Sequence, residues 1–388
     1  MRLISQRHFG FQTRLAALYA AFFALAGIHL PFFPVWLKAK GLDDAGIGLV
    51  LAAPMIVRLC AVPIASRLAD RRDALRATLV TLTTAAIAGY TLVGLANGMV
   101  GILIAYTVAA CAFTPVMPLT ETYALKGLGQ RGLAYGPVRL WGSASFIVGS
   151  LAAGIAADRI PARNLIWMIA AASALIALAA FTLEPVSSEP HASERQTARA
   201  SLLRDPTFIA VLASAGLIQA SHAVFYGFSA VQWRAAGLDG TTIAALWALG
   251  VVAEMVLFAV QGRLPPFFRP SVLLMIGAGG AALRWSAMAF DPPTFELPWL
   301  QLLHALSFGA THLGAIGFVS RYAPPGQGAT AQGYLAVALG ALLAGAMSLS
   351  GLLVQAFGAH AYAAMALTAV AGGVCGYVVK VTRHDAAL

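Results

Sequence analysis

TTIAALWALGVVAEMVLFAVQ, the stretch from Thr241 to Gln261, consists mostly of apolar or small residues and contains one carboxylate, Glu254, near its middle. A run of about twenty such residues crosses the hydrocarbon core of a bilayer as a helix. An ionised acid is costly at that depth, so an intramembrane acid usually faces a polar cavity on an ion or substrate path. The stretch therefore predicts a membrane helix in which Glu254 binds a transported proton.

The composition indicates that this helix is one of many. Of the 388 residues, 60% are hydrophobic and only 10% are charged, and the mean hydropathy is +0.79. These values exclude a soluble globular protein, and the length leaves room for about twelve membrane helices and no large soluble domain. The net charge of +10 is explained by basic loops and does not call for a nucleic-acid partner.

Apolar runs separated by short polar turns predict twelve membrane helices, so both termini lie on one side. Of the 25 Lys and Arg residues, 17 fall on that side, five on the opposite side and three within spans. This bias predicts cytoplasmic termini in the inner membrane. The predicted spans lie near 13–37, 45–66, 76–96, 99–121, 136–157, 163–184, 205–234, 241–262, 271–290, 297–320, 330–356 and 360–381.

The two halves of the chain are related in sequence. A shift of 196 positions lays Leu37 to Arg67 onto Trp233 to Arg263, matches GLD at 41–43 with GLD at 237–239, and places Arg58 on Glu254. A tandem duplication of six spans is the parallel-repeat plan of the major facilitator fold, in which substrate binds at mid-membrane between the halves.

A polar segment rich in Ser, Pro and mixed charge separates the related halves. Such a composition is typical of a linker. We therefore predict an N-terminal six-helix half at 1–184, a cytoplasmic linker at 185–204 and a C-terminal six-helix half at 205–388.

The loop SRLADRRDALR, Ser66 to Arg76, resembles the cytoplasmic signature of the major facilitator superfamily. Asp70 and Arg71 match that signature, whereas Ser66 and Asp73 stand where glycines are usual. The resemblance implies a gating loop with Asp70 and Arg71. The alternative is an ordinary basic cytoplasmic loop.

Further stretches, spread over both halves, resemble the phenylpropionate permease family of that superfamily, which is related to the lactose permease and oligosaccharide-proton symporter group. The resemblance implies proton-coupled uptake, with aromatic carboxylates such as phenylpropionate as substrates. The stretches are PFFPVWL at 31–37, VMPLTETYA at 116–124, YGPVRLWGS at 135–143, QASHAVFYGFSAVQW at 219–233, LWALGVVAE at 246–254, LRW at 283–285 and HALSFGATHL at 304–313.

Five charged residues lie within the spans or at their ends: the cations Arg58, Arg139 and Arg284 and the acids Glu121 and Glu254. With both acids ionised, one positive charge is unmatched. A bound anion would relieve this cost, so an organic carboxylate fits the count. A neutral sugar or nucleoside is the alternative substrate class, and its binding does not require an unmatched positive charge.

Helix direction and rise allow depths to be compared. Glu254 and His312 lie at a similar depth, and Arg284 and His304 form a second possible pair about 10 Å further out. We expect Glu254 to bind the proton, with His312, Arg284 and His304 setting its proton affinity. The alternative is a buried ion pair that only stabilises packing.

Arg58, at the middle of its span, is the leading candidate to anchor a substrate carboxylate, because a guanidinium matches carboxylate geometry. In the related sugar permeases a comparable acid and arginine hold the substrate, which implies the same role for Glu121 and Arg139; a gating salt bridge is the alternative. Further candidates for the substrate-binding site are Gln219, His222 and Tyr226 on one helix face, and Trp141 and His29.

An intramembrane enzyme is disfavoured because no HExxH motif or cluster of acids is present. Cys60, Cys111 and Cys375 sit singly, which supports neither a disulfide nor a metal site. We therefore expect a functional monomer without cofactor, powered by a proton gradient, whose partners are a small-molecule substrate and the bilayer. A non-transporting sensor on the same fold is a further alternative.

Overall fold

The computed structural model describes residues 2–71, 74–186, 202–263, 265, 267–324 and 327–381. In these ranges every regular element is helical, because a helix satisfies its own backbone hydrogen bonds in hydrocarbon. The all-α class is confirmed. Most of the predicted linker at 185–204 lies outside the described residues.

The helices agree with the predicted spans to within a few residues, except that the first helix begins at Arg2 rather than near residue 13 and that three spans are interrupted. Eleven stretches are long and apolar enough to cross a membrane, and the last of them, Thr330–Val378, contains two helices, which gives the twelve predicted spans. The helices are α1 (Arg2–Ala39), α2 (Asp44–Arg71), α3 (Leu75–Leu95), α4 (Gly98–Phe113), α5 (Val116–Gly129), α6 (Gly136–Arg159), α7 (Ile166–Phe181), α8 (Pro206–Ala220), α9 (Ala223–Ala235), α10 (Gly240–Val260), α11 (Pro270–Met288), α12 (Leu297–Leu302), α13 (Thr311–Tyr322), α14 (Gly328–Phe357) and α15 (Ala361–Val381).

The chain divides into two compact units: Met1–Pro190 with Ala230–Ala248, and His191–Ser229 with Leu249–Leu388. The first unit includes the start of α10 because Asp158, near the end of α6, accepts hydrogen bonds from the backbone N–H groups of Gly240 (2.6 Å) and Thr241 (3.0 Å). Arg234 pairs with the same carboxylate at 3.5 Å. The division at 185–204 stays a prediction.

In the first unit, small residues let α1 lie directly along α6. A Cβ on Gly27 would stand 2.2 Å from the Phe146 carbonyl oxygen, and one on Gly149 would stand 2.3 Å from the Ala24 carbonyl oxygen. Such close approach of backbones is a common way for membrane helices to pack. It fixes the position of α6, which carries Arg139 and Trp141.

In the second unit, α8 packs against α13 and α14 through a buried apolar cluster that includes Phe208, Val211 and Phe318. Helix α11 approaches the neighbouring span through Gly277 and Gly280, where a Cβ would meet Thr311 Oγ1 at 2.0 Å and Leu306 Cβ at 2.7 Å. These contacts bring Arg284, on α11, against the span that carries His304.

Three predicted spans are interrupted rather than continuous. One breaks between α4 and α5 at Thr114, and one between α8 and α9 at Ser221 and His222. In the third, a π-helix, Ala305–Ala310, separates α12 from α13. Thr114 shifted by 196 positions is Ala310, so the first and third interruptions occupy corresponding places in the repeat. Each interruption lies within a few residues of a candidate site residue.

Candidate functional site

Six polar side chains of the second unit form one group, which we call the Arg284 cluster; five of them are buried and Glu254 is partly exposed. Each member comes from an element that meets the others at the π-helix. The members are Glu254 on α10, Arg284 on α11, Gln301 on α12, His304 just before the π-helix, Ser307 in the π-helix, and His222 between α8 and α9.

Arg284 is fully buried at the centre of the cluster. Its Nη2 donates to Gln301 Oε1 at 2.6 Å and its Nη1 donates to His304 Nδ1 at 3.1 Å. The guanidinium also contacts two aromatic rings, with its carbon 4.5 Å from the ring centroid of Phe225 and 4.6 Å from that of Trp285. No ion pair joins Arg284 to a carboxylate in the part of the chain that the structure describes. The protein thus holds a permanent cation with neutral groups.

His304 connects Arg284 to Glu254. An arginine N–H only donates, so His304 Nδ1 must accept, and a neutral His304 carries its proton on Nε2. That Nε2 lies 3.6 Å from Glu254 Oε2, which is longer than a hydrogen bond but close enough for strong electrostatic interaction. The ring therefore directs its only N–H toward the acid.

His222 has a different hydrogen-bond pattern. Its Nδ1 lies 3.1 Å from the Ile218 carbonyl oxygen, which can only accept, so Nδ1 carries the proton. Its Nε2 is then the acceptor for the Ser307 hydroxyl at 3.2 Å, while Ser307 Oγ in turn lies 3.4 Å from Arg284 Nη1. A charged His222 would lose the bond from Ser307, so these contacts favour the neutral form of His222.

Local backbone structure sets these positions. Gly250 and Glu254 are four residues apart, on one face of α10. A Cβ on Gly250 would lie 3.4 Å from His304 Cβ, and one on Gly309 would lie 3.6 Å from Glu254 Cγ. The π-helix begins directly after His304, and π-segments inside helices are frequent at functional sites.

The predicted pair of Arg284 and His304 is present, but it is not separate from Glu254. His304 contacts both residues, which the depth calculation placed about 10 Å apart. The reason is that long side chains bridge this distance along the helix axis. His312 stacks on Phe308 and faces Phe258, each at 5.9 Å.

Gln301 and Ser307 were not predicted to belong to a site. They precede and follow His304 by three residues each, so the spacing that joins residues on one helix face could have identified them. Gln301 Nε2 and Arg284 Nε have no hydrogen-bond partner among the described residues.

The predicted face formed by Gln219, His222 and Tyr226 spans the break between α8 and α9. Gln219 and His222 are buried, and the Tyr226 ring stacks on His222 at 5.5 Å. Tyr226 thus borders the Arg284 cluster.

The first unit contains a second polar site, formed by Glu121 and Arg139, which the structure brings together. Glu121 Oε1 lies 3.9 Å from Arg139 Nε, and Tyr135 donates to Glu121 Oε2 at 2.7 Å. The Arg139 guanidinium also lies 4.1 Å from the Phe23 ring. Burial, together with the hydrogen bond to Glu121, raises the pKa of Tyr135 to about 12, so its hydroxyl remains a donor at neutral pH.

His29 lies in an uncharged aromatic group of the same unit. Its Nε2 hydrogen-bonds to the Tyr106 hydroxyl at 2.8 Å, and its ring stacks on Phe33 at 4.6 Å. Tyr90 completes the group, with its ring 6.1 Å from His29. We call these residues the His29 cluster.

The remaining candidates are exposed and lie apart from these clusters. Arg58 on α2 has no hydrogen bond or ion pair within the described ranges. Trp141 lines a cavity of about 490 Å³ between α1 and α6, and Glu121 and Arg139 do not line that cavity. Asp70 and Arg71 end α2.

Relatives of this chain are membrane transporters. A family model described as "MFS_1 like family" matches residues 12–364. The "Probable 3-phenylpropionic acid transporter" of Escherichia coli (strain K12) is 36% identical over 380 residues, 92% of this chain and 95% of that protein. The "Maltose permease" of Geobacillus stearothermophilus is 30% identical over 323 residues, 81% of this chain and 80% of that protein.

Solved structures share the fold. A crystal structure of the nucleoside transporter NupG has a TM-score of 0.83 at 16% identity, over 96% of this chain and 99% of that chain. A bacterial homolog of the human lysosomal transporter Spinster, in an inward-facing and occupied conformation, has a TM-score of 0.76 at 16% identity, over 96% of each chain. The predicted major facilitator fold is confirmed, and the chain belongs to the MFS_1 like family of multi-pass membrane transporters.

Proposed function

We propose that this chain is a proton-coupled symporter that imports a small aromatic carboxylate, such as phenylpropionate, by alternating access. The connection of Arg284 to Glu254 through His304 carries the proposal. With Glu254 ionised, the charges of Arg284 and Glu254 cancel; a proton on Glu254 leaves one net positive charge. An anion then binds more strongly to the protonated transporter, and substrate strengthens proton binding to the same extent.

The charged residues within the membrane spans of the first unit, or at the ends of those spans, also support an anionic substrate. Arg58 and Arg139 outnumber the acid Glu121, and Arg58 is exposed. We propose that Arg58 anchors the substrate carboxylate. The name of the Escherichia coli relative, a 3-phenylpropionic acid transporter, supports the aromatic class.

A neutral sugar is the second candidate substrate. The maltose permease relative supports it, and so does the loose contact of Glu121 with Arg139, because a half-exposed acid and arginine can bind hydroxyl groups as well as a carboxylate. In either case we propose a monomer in the cytoplasmic membrane, with both termini in the cytoplasm. No cofactor is needed, since a proton gradient supplies the energy.

Uptake into proteoliposomes tests the substrate class. The purified full chain is given 3-phenylpropionate, maltose or uridine, with and without an inward proton gradient. We expect the gradient to drive accumulation of the carboxylate only. Gradient-driven accumulation of maltose or uridine, with none of the carboxylate, would overturn the proposal in favour of the neutral class.

The variant Glu254→Gln tests the proton site. It should abolish accumulation against a gradient while exchange of labelled substrate continues. Glu296→Gln is the matched control, because Glu296 is an exposed acid of the same unit. Undiminished proton-driven accumulation by Glu254→Gln would exclude Glu254 as the coupling group.

A further inference from the structure

An apolar groove lies in the first unit, and none of its lining residues belongs to the His29 cluster or to the site of Glu121 and Arg139. It has a volume of about 620 Å³ and is formed by α2, α3 and α4. Cys60, Ile64 and Leu68 line its α2 wall, Leu82 lies on α3 and Cys111 on α4. Ile64 and Leu68 are exposed, so the groove opens to the surroundings of the unit. In a membrane-spanning chain, such a groove is suited to the acyl chains of the bilayer, since exposed apolar surface marks contact with a membrane or a protein.

Two cations extend the α2 wall of this groove. Arg67 and Arg71 follow Cys60 by seven and eleven residues, which places them on the same helix face as Cys60, Ile64 and Leu68. Both arginines are exposed, and neither has an ion-pair partner in the ranges that the structure describes.

The charge at this end of the groove is positive. Asp70 is exposed there as well, and the sequence from Ser66 to Arg76 contains four arginines and two aspartates, an excess of two positive charges. Ala74, the residue before α3, also lines the groove, which brings the loop end of the groove next to Arg71. The arrangement joins an apolar channel to a basic rim at the end of α2.

We infer that this groove binds an anionic phospholipid, with an acyl chain along Cys60 and Ile64 and the headgroup phosphate at Arg67 and Arg71. Apolar contact alone would accept any lipid. Arg67 and Arg71, which have no ion-pair partner among the residues that the structure describes, select for negative charge, since basic residues next to a bilayer attract anionic headgroups. The excess of basic residues on this side of the membrane fits a rim at the cytoplasmic leaflet.

Native mass spectrometry of the purified full chain tests the inference. Palmitoyl-oleoyl phosphatidylglycerol and the phosphatidylcholine with the same acyl chains are titrated separately, and the bound lipid is counted. We expect phosphatidylglycerol to bind about tenfold more tightly, because two basic residues contribute to its binding. Equal binding of the two lipids overturns the inference.

Two variants locate the site. The double variant Arg67→Gln/Arg71→Gln should remove the preference for phosphatidylglycerol, and Cys60→Trp, which fills the groove with a larger side chain, should weaken binding of both lipids. Arg263→Gln is the matched control, because Arg263 is the counterpart of Arg67 in the repeat. A preference that persists in the double variant, or that the control removes, places the lipid elsewhere and overturns the assignment. Because the assay measures no transport, its result is independent of the substrate proposal.

Discussion

The His29 cluster of the first unit and the Arg284 cluster of the second have a similar arrangement of rings but differ in their charged residues. In each, a histidine from the first span of the repeat contacts an aromatic ring of the third span and a ring of the fourth. His29 lies 6.1 Å from Tyr90 and 5.8 Å from Tyr106. His222 lies 5.0 Å from Trp285 and 5.8 Å from His304. Both units thus surround a histidine with rings, although the 196-residue shift places His29 on Phe225 rather than on His222.

The difference lies in charge. The His29 cluster contains no charged side chain, whereas the Arg284 cluster adds Arg284 beside Trp285 and Glu254 beside His304. Because buried charges are costly, Arg284 depends on the hydrogen bonds that it donates to His304 and Gln301. Under the proposed function, the Arg284 cluster of the second unit would bind the proton, and the His29 cluster of the first would provide a neutral aromatic surface.

Replacing Arg284 tests this difference most severely. Arg284→Gln removes a buried cation and leaves Glu254 without its compensating charge. We expect a loss of about 3–5 kcal/mol of stability, together with complete loss of uptake. The measurement is the Tm of the purified protein, followed by proteoliposome uptake.

Arg58→Gln is the matched control for stability, since Arg58 is exposed and its loss should lower stability by no more than about 0.5 kcal/mol. If both variants lower the Tm equally, the Arg284 cluster is not more sensitive than an exposed position.

The variant Gln301→Glu gives the second unit the acid–arginine contact of Glu121 and Arg139. A carboxylate in place of the amide oxygen 2.6 Å from Arg284 Nη2 makes the cluster one charge more negative. We expect the KM for an anionic substrate to rise about tenfold or more, a change of at least 1.4 kcal/mol, while the protein stays folded.

Gln301→Ala distinguishes charge from packing. It leaves Arg284 Nη2 without an acceptor and should cost about 1–3 kcal/mol of stability, without adding negative charge. An unchanged KM in Gln301→Glu would show that the charge of this cluster does not govern anion binding.

The fold was predictable because hydropathy reports which residues face lipid, and that pattern gave the twelve spans. It does not report the hydrogen-bond pattern of the backbone. The breaks at Thr114 and at Ser221, and the π-helix at Ala305–Ala310, lie inside stretches whose mean hydropathy is that of a continuous span, and they were missed.

The charged residues of the candidate site were predictable, because charged side chains are rare inside membrane spans. Arg284 and Glu254 were identified because a charge is expensive in hydrocarbon. Gln301 and Ser307 are neutral and common in membrane helices, so composition does not mark them. Their role depends on donor and acceptor directions around Arg284, which only the structure shows.

Replacing His222 and His29 in turn gives a matched pair of variants, with an expected effect of intermediate size for His222. His222→Phe leaves the buried Ser307 hydroxyl without its acceptor and disturbs Arg284, so we expect about 1–3 kcal/mol of destabilisation and a loss of most uptake. His29→Phe removes one hydrogen bond, from Tyr106, in an uncharged cluster, and should keep proton-driven uptake. The Tm and the initial uptake rate of both variants are compared. Similar uptake in the two variants would contradict the division of roles between the units.

The smallest expected effect concerns the polar site of the first unit. Tyr135→Phe removes the 2.7 Å hydrogen bond to Glu121, which is worth about 0.5–1.5 kcal/mol, and frees the acid to move toward Arg139. Because the pKa of Tyr135 is raised to about 12, its hydroxyl stays protonated below that pH, so the change in substrate affinity should be the same at acidic and neutral pH. The KM of wild type and variant is measured at both. Leu133→Ala, in the same loop, controls for nonspecific loosening. A KM ratio that varies between the two pH values would assign a protonation step to Glu121 and remove the contrast with the second unit.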